Sequence, residues 1–126
     1  MTRREAIARL RRKPPVPPEE RERFVGVTNA YLEHRLALLG LHESVEGTPE
    51  LLKPCPCCEL RTLDGEAYDI CRVCFWEDDG TGELDVISDC NHCSLREARQ
   101  TFERVGAVRE DLVVHVLRDG RERYAR

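Results

Sequence analysis

Apolar residues recur at helical spacing in three parts of this chain and alternate with polar ones in a fourth. In "RREAIARLRRK", Ile7 and Leu10 share one face and Thr2 stands at the N-cap position, so a short helix is predicted. The run "PPVPP", residues 14–18, ends it, because proline lacks the N–H donor and clashes with the preceding turn. Polyproline II is its expected local form. Pro17 and Pro18 also suit the first turn of a second helix, with Glu19 and Glu20 at its positive end. That helix is predicted to run to Leu39 on a stripe of Phe24, Val27, Tyr31, Leu32, Leu36 and Leu39, interrupted by Arg35 and stopped by Gly40. The stripe reads as core or as a docking face for the cysteine-bearing part of the chain. "SLREARQTFERVGA" is the clearest helix. Ser94 and Glu97 form a capping box, Leu95, Ala98, Phe102 and Val105 a narrow apolar stripe, and Gly106 a stop.

Period two replaces period 3.6 between residues 60 and 70. Leu60, Thr62, Tyr68 and Ile70 alternate with polar residues, and Asp64-Gly65 is a strong hairpin-turn pair, so two short half-buried strands are predicted. "EDDGTGELDVISD" reads as an acidic loop. "DLVVHVL" fits a final strand or a buried helical turn equally well.

Composition narrows the class. With 126 residues, 40% hydrophobic and 35% charged, the core is modest, and a metal or disulfide staple would help it. The N-terminus carries charges throughout and no apolar signal region, and no run approaches the roughly 18 apolar residues of a spanning helix, so no membrane segment and a cytoplasmic location are expected. In a reducing compartment cysteine pairs bind metal or do redox work more often than they form structural disulfides. The net charge of −4 is unevenly spread: residues 1–35 carry nine Arg/Lys against five Asp/Glu, residues 59–89 ten Asp/Glu against two Arg. The cysteines lie in the acidic part, which disfavours nucleic acid as a partner. The basic N-terminal arm reads as a solvated helix before it reads as a polyanion contact.

The candidate chemistry is in the cysteines. Cys55 and Cys58 form one C-x-x-C pair, Cys71 and Cys74 another, with twelve residues between them. Two such knuckles on adjacent hairpins complete a tetrahedron of sulfurs, which favours structural Zn2+ over iron. Four thiolates leave no position for a reacting water, so the site is expected to hold the fold and the protein to be no enzyme. Cys57 is surplus. It is a small buried residue beside the metal, a substitute for Cys58, or a ligand of a second site with Cys90, Cys93 and His92. Otherwise Cys90 and Cys93 are free thiols. Thiol–disulfide exchange is a competing reading, but the neighbouring carboxylates would raise thiol pKa values. Trp76, Glu77, Asp78 and Asp79 read as a contact for a protein partner. The plainer readings are a Trp covering the hairpin and a solvated acidic loop. His34, His42 and His115 are isolated.

Taken together, the predicted fold is α+β: a zinc-ribbon β-hairpin module packed with helices over residues 51–126, after a helical segment with a Pro-rich linker over residues 1–50. "CPCC" (residues 55–58), "YDICRVCFWEDDG" (68–80) and "NHCSLREARQTFERVGA" (91–107) resemble the bacterial cysteine-rich CPCC proteins, across roughly residues 53–107. The resemblance implies a small zinc-ribbon-like module with a helix packed on it. Some members look like companions of bacterial toxin systems, as immunity-type proteins. The sequence departs from that pattern at Glu59, where members usually carry Gly, at Arg72, where they usually carry Pro, and in "ELDVISDC". The resulting expectation is a zinc-binding protein that acts through a protein partner, one of basic charge given the acidic face. A nucleic-acid-binding ribbon and a thiol–disulfide protein are the alternatives.

Overall fold

The computed structural model describes residues 1–11 and 22–126 and divides into two compact units, Met1–Glu50 and Leu51–Arg126. The Pro-rich run and the expected helix start at Pro17 and Pro18 lie outside the described residues.

In the first unit, α1 (Arg3–Leu10) begins where the Thr2 hydroxyl accepts from the Glu5 N–H. The second helix, α2 (Asn29–Leu38), is shorter than its apolar stripe predicts, because residues 22–28 are not helical. Gly26 takes a left-handed φ of 76°, and the Thr28 hydroxyl caps the helix by accepting from the Tyr31 N–H. Phe24 and Val27 are buried all the same, from a turn, together with Tyr31, Leu32 and Leu36 on the helix; Leu39 is exposed. Arg35 is accommodated on this stripe by stacking over Tyr31 and Phe24, 5.6 and 5.9 Å from the ring centroids, while both its terminal nitrogens bond Glu22. Gly40 (φ 81°) closes the C-terminus, its N–H reaching Ala37 O and that of Leu41 reaching Leu36 O.

The second unit is α+β with two minimal antiparallel ladders. β1 (Lys53–Pro54) pairs with β2 (Arg61–Leu63), and β3 (Ile87–Ser88) with β4 (Cys93–Ser94). The capping box forms, and α3 (Leu95–Val105) buries Leu95, Ala98 and Phe102 before Gly106 ends it at φ 85°. A 3-10 helix (Glu110–His115) and a short α4 (Gly120–Arg123) follow. Leu63, Trp76, Leu95 and Val108 are essentially inaccessible and join the cysteines in the core.

Two strand expectations are corrected. β2 forms, but its partner is β1, upstream of the first C-x-x-C, and the chain around Tyr68 is no strand. The hairpin loop is therefore the knuckle itself, since a two-cysteine turn must be pinned on both flanks to aim its sulfurs at one point. Beyond Asp64-Gly65 the chain is held by the Asp64 N–H donating to Asp69 Oδ2 at 2.7 Å, and by Tyr68 N–H to Asp78 O at 2.9 Å. "DLVVHVL" becomes the 3-10 helix, and it buries nothing: Val113 and Val114 are exposed.

Candidate metal centre

The two C-x-x-C turns have the same local construction. In the first, Glu59 N–H donates to Cys55 O and Cys55 N–H to Leu60 O, both at 2.8 Å, and Pro54 pairs with Arg61. In the second, Phe75 N–H donates to Cys71 O at 2.8 Å, Cys71 N–H to Trp76 O at 2.9 Å, and Ile70 bridges Glu77. The residue after the second cysteine turns left-handed in both, with φ of 66° at Glu59 and 71° at Phe75. That turn swings the chain away and leaves the sulfurs facing one centre. Glu59 thus occupies a conformation that glycine adopts at far lower cost.

Cys55, Cys58, Cys71 and Cys74 are buried, and their sulfurs all lie within 4.8 Å of one another. Two edges of the group are 3.6 Å (Cys55–Cys74) and 3.7 Å (Cys58–Cys71). Metal–sulfur bonds of about 2.3 Å in a tetrahedron require edges of about 3.8 Å. A disulfide would need about 2.05 Å, and all seven cysteines are free thiols. The four cysteines are therefore positioned to bind a metal ion. Donors already point at one of them: Thr62 Oγ1 lies 3.0 Å from Cys71 Sγ and the Val73 N–H 3.4 Å. Hydrogen bonds from Cys55, Cys58, Cys74 and Thr62 pull the Cys71 thiol far down, against burial. Cys55 is pushed up by its contacts with Cys58 and Cys71, and Cys74 by burial.

The rest of the unit grips both knuckles. Arg99 on α3 donates through Nε and Nη2 to Pro56 O at 3.1 and 2.8 Å. Val108 N–H reaches Cys74 O and Leu117 N–H reaches Arg72 O. Gly120 lies so close to Val73 that a Cβ there would sit 2.9 Å from its side chain.

Compared with protein-family models, residues 53–123 match the one described as "Cysteine-rich CPCC", more than half of the chain. The chain belongs to the cysteine-rich CPCC family. The match runs past residue 107, where the sequence resemblance stops, and takes in the residues that close on the second knuckle, Val108, Leu117 and Gly120. No curated protein and no solved structure matches the chain. Among the described residues of this CPCC protein, no helix is long and apolar enough to cross a membrane.

The other cysteines are placed by a third turn of the same construction. His92 N–H donates to Ser88 O at 2.8 Å, His92 has φ 60°, and Ile87 pairs with Ser94. Aligned on the knuckles, the ligand positions of this turn hold Ser88 and Asn91. Cys90 falls at the position of Cys57, and Cys93 at that of Leu60 and Trp76. The C-x-x-C spacing of Cys90 and Cys93 is thus out of frame with the turn that carries it. Hydrogen bonds close this turn: Ser88 Oγ donates to Asp79 Oδ2 at 2.6 Å, and the Asn91 side chain donates to Ser88 Oγ and to Glu77 O while accepting from the Glu77 N–H. Among the described residues, Cys57, Cys90, His92 and Cys93 belong to no metal-binding group of three or more side chains. Cys57 is buried beside the four, and the Cys90 thiol is pushed up by desolvation and by Glu77, Asp79 and Asp89.

Sequence reasoning missed this turn, although "SDCNHCS" has the knuckle's length. It also placed the partner-facing residues too generously. Trp76 is 0% exposed, a core residue that offers a partner no anchor. Asp78 is 9% exposed and accepts from Lys53 Nζ at 2.9 Å, while Asp79 is taken up by Ser88 and by the Thr81 N–H. Within residues 59–89 the carboxylates that do face solvent are Glu59, Asp64, Glu66, Glu83, Asp85 and Asp89.

Proposed function

We propose that this protein is a zinc-stapled, non-catalytic binding protein. The observation that carries the reading is the closed, buried group of four sulfurs with the edge lengths of a tetrahedral site. With all four positions taken by protein, zinc has no place for a reacting water, and its contribution is to join the two turns. Function then falls to the surface. The carboxylates left exposed across residues 64–89 suit a basic protein partner, whose approach complementary charge would speed. Neutralisation of a toxin is the most concrete form of such capture. The experiment is native mass spectrometry of the protein from its own host. One zinc per chain and a bound protein of basic charge are expected. Iron in place of zinc overturns the metal identity, and nucleic acid in place of protein overturns the partner class.

A further inference from the structure

Beside the second knuckle lies an open groove of about 500 Å³, lined by Glu66, Tyr68, Asp69, Ile70, Phe75 and His115 among others. Tyr68 and Ile70 are 60% and 40% exposed. The rings of Phe75 and His115 are in contact, with centroids 5.5 Å apart and planes tilted by 31°. We propose that this groove receives a cationic side chain, an arginine or lysine of a protein partner. The proposal rests on the partner reading above and names its site.

Aromatic faces attract a cation through the negative centre of the ring, and they pack well against the aliphatic stem of Arg or Lys. Elsewhere in this chain such faces are used internally, Tyr31 and Phe24 under Arg35 and Phe102 under Arg121. Among the described residues no cation stacks on Tyr68, Phe75 or His115. Two carboxylates, Glu66 and Asp69, stand at the groove against one cation, Arg72, so the local charge complements a basic occupant. The fold does not explain the aromatic residue at position 68. Its φ is 61° and its side chain is largely in solvent, where Gly or Asn would serve the backbone better. The groove also lies on rigid backbone, because Tyr68 N–H is bonded to Asp78 O and Phe75 N–H to Cys71 O.

The test is an NMR titration of the full-length, zinc-loaded protein with two capped tripeptides, Ala-Arg-Ala and Ala-Glu-Ala. The arginine peptide should shift the amides of residues 66–72, Phe75 and His115, and the glutamate peptide should not. Tyr68→Ala should weaken arginine binding about fivefold or more, while Tyr68→Phe, which keeps the ring face, should retain it. Amides away from the groove report whether each variant stays folded. Equal shifts with both peptides, no shifts, or binding unaffected by Tyr68→Ala would overturn the groove. Shifts confined to residues 82–89 would also overturn it, yet leave a basic partner on another face, and so separate the failure of this site from the failure of the partner reading.

Discussion

At the scale of single residues, the metal centre depends on two side chains that are not ligands. Thr62 is buried and its hydroxyl lies 3.0 Å from Cys71 Sγ, so it offsets part of the thiolate charge gathered on four sulfurs. Removing such a donor typically weakens metal affinity at least tenfold. Thr62→Val is therefore expected to lower zinc affinity by about a factor of ten, measured by competition with a chelating dye. Glu59 works the other way. Its φ of 66° is imposed by the knuckle, and left-handed backbone costs an L residue with a side chain roughly 1–2 kcal/mol. Its compensation is weak, since the nearest cations, Arg99 and Arg126, stand 3.8 and 3.9 Å away at the surface. Glu59→Gly should stabilise the zinc-loaded protein by about 0.5–1 kcal/mol in urea denaturation. Unchanged or lower stability would show that those surface pairs matter more than the strain.

Among the elements, the three equivalent turns divide by what closes them. Two are to be closed by metal; the third is closed by Ser88, Asn91 and Asp79. Ser88→Ala would remove one partner each from the Asn91 side-chain amide, the Asn91 backbone N–H and one Asp79 oxygen, and a loss of about 1–3 kcal/mol is expected. Asp79 adds a pH dependence. Burial opposes its ionisation, but the hydrogen bonds from Ser88 and Thr81 outweigh this and hold its carboxyl below the ordinary range. The folded value is depressed, so this contribution is fully present above the unfolded value of about 3.9 and is lost as pH falls through the folded one. Wild type should therefore lose its stability advantage over Asp79→Asn below about pH 4, seen in paired denaturation curves from pH 6 to pH 3. A constant difference across that range would rule out this carboxylate as the cause.

Across the whole molecule, the four-sulfur group, the core and the C-terminal segment meet within residues 51–126. The ladders there are two or three residues long, too short to stand without the sulfur group and the helix packed on it. Trp76, the only tryptophan, is fully buried in the second knuckle and reports on this directly. Removing bound metal with a strong chelator, or replacing Cys71 by Ser, should red-shift Trp76 fluorescence and remove the protection of the Val108 and Leu117 amides, which bond into that knuckle. A blue, unshifted emission after complete metal removal would show that packing alone holds the unit.

What the sequence determined by itself is whatever depends on short spacing. The two C-x-x-C pairs, the Ser94–Glu97 capping box and the stops at Gly40 and Gly106 are local, and local geometry follows from residue type within one or two turns of chain. Tertiary structure decided the matters that depend on register and burial. The strand partner of β2 lies upstream because both flanks of a knuckle must be pinned. The start of α2 falls at Thr28 because Gly26 turns the chain there, although the apolar stripe continues through Phe24 and Val27. The Cys90–Cys93 pair looks like a third knuckle in one dimension and is out of frame in three, where Ser88 and Asn91 hold the ligand positions. Trp76 and Asp78 look like surface in an acidic run and are buried, because the chain that follows each knuckle folds back over it. Spacing states which groups are able to meet; only the packed chain states which ones face inward.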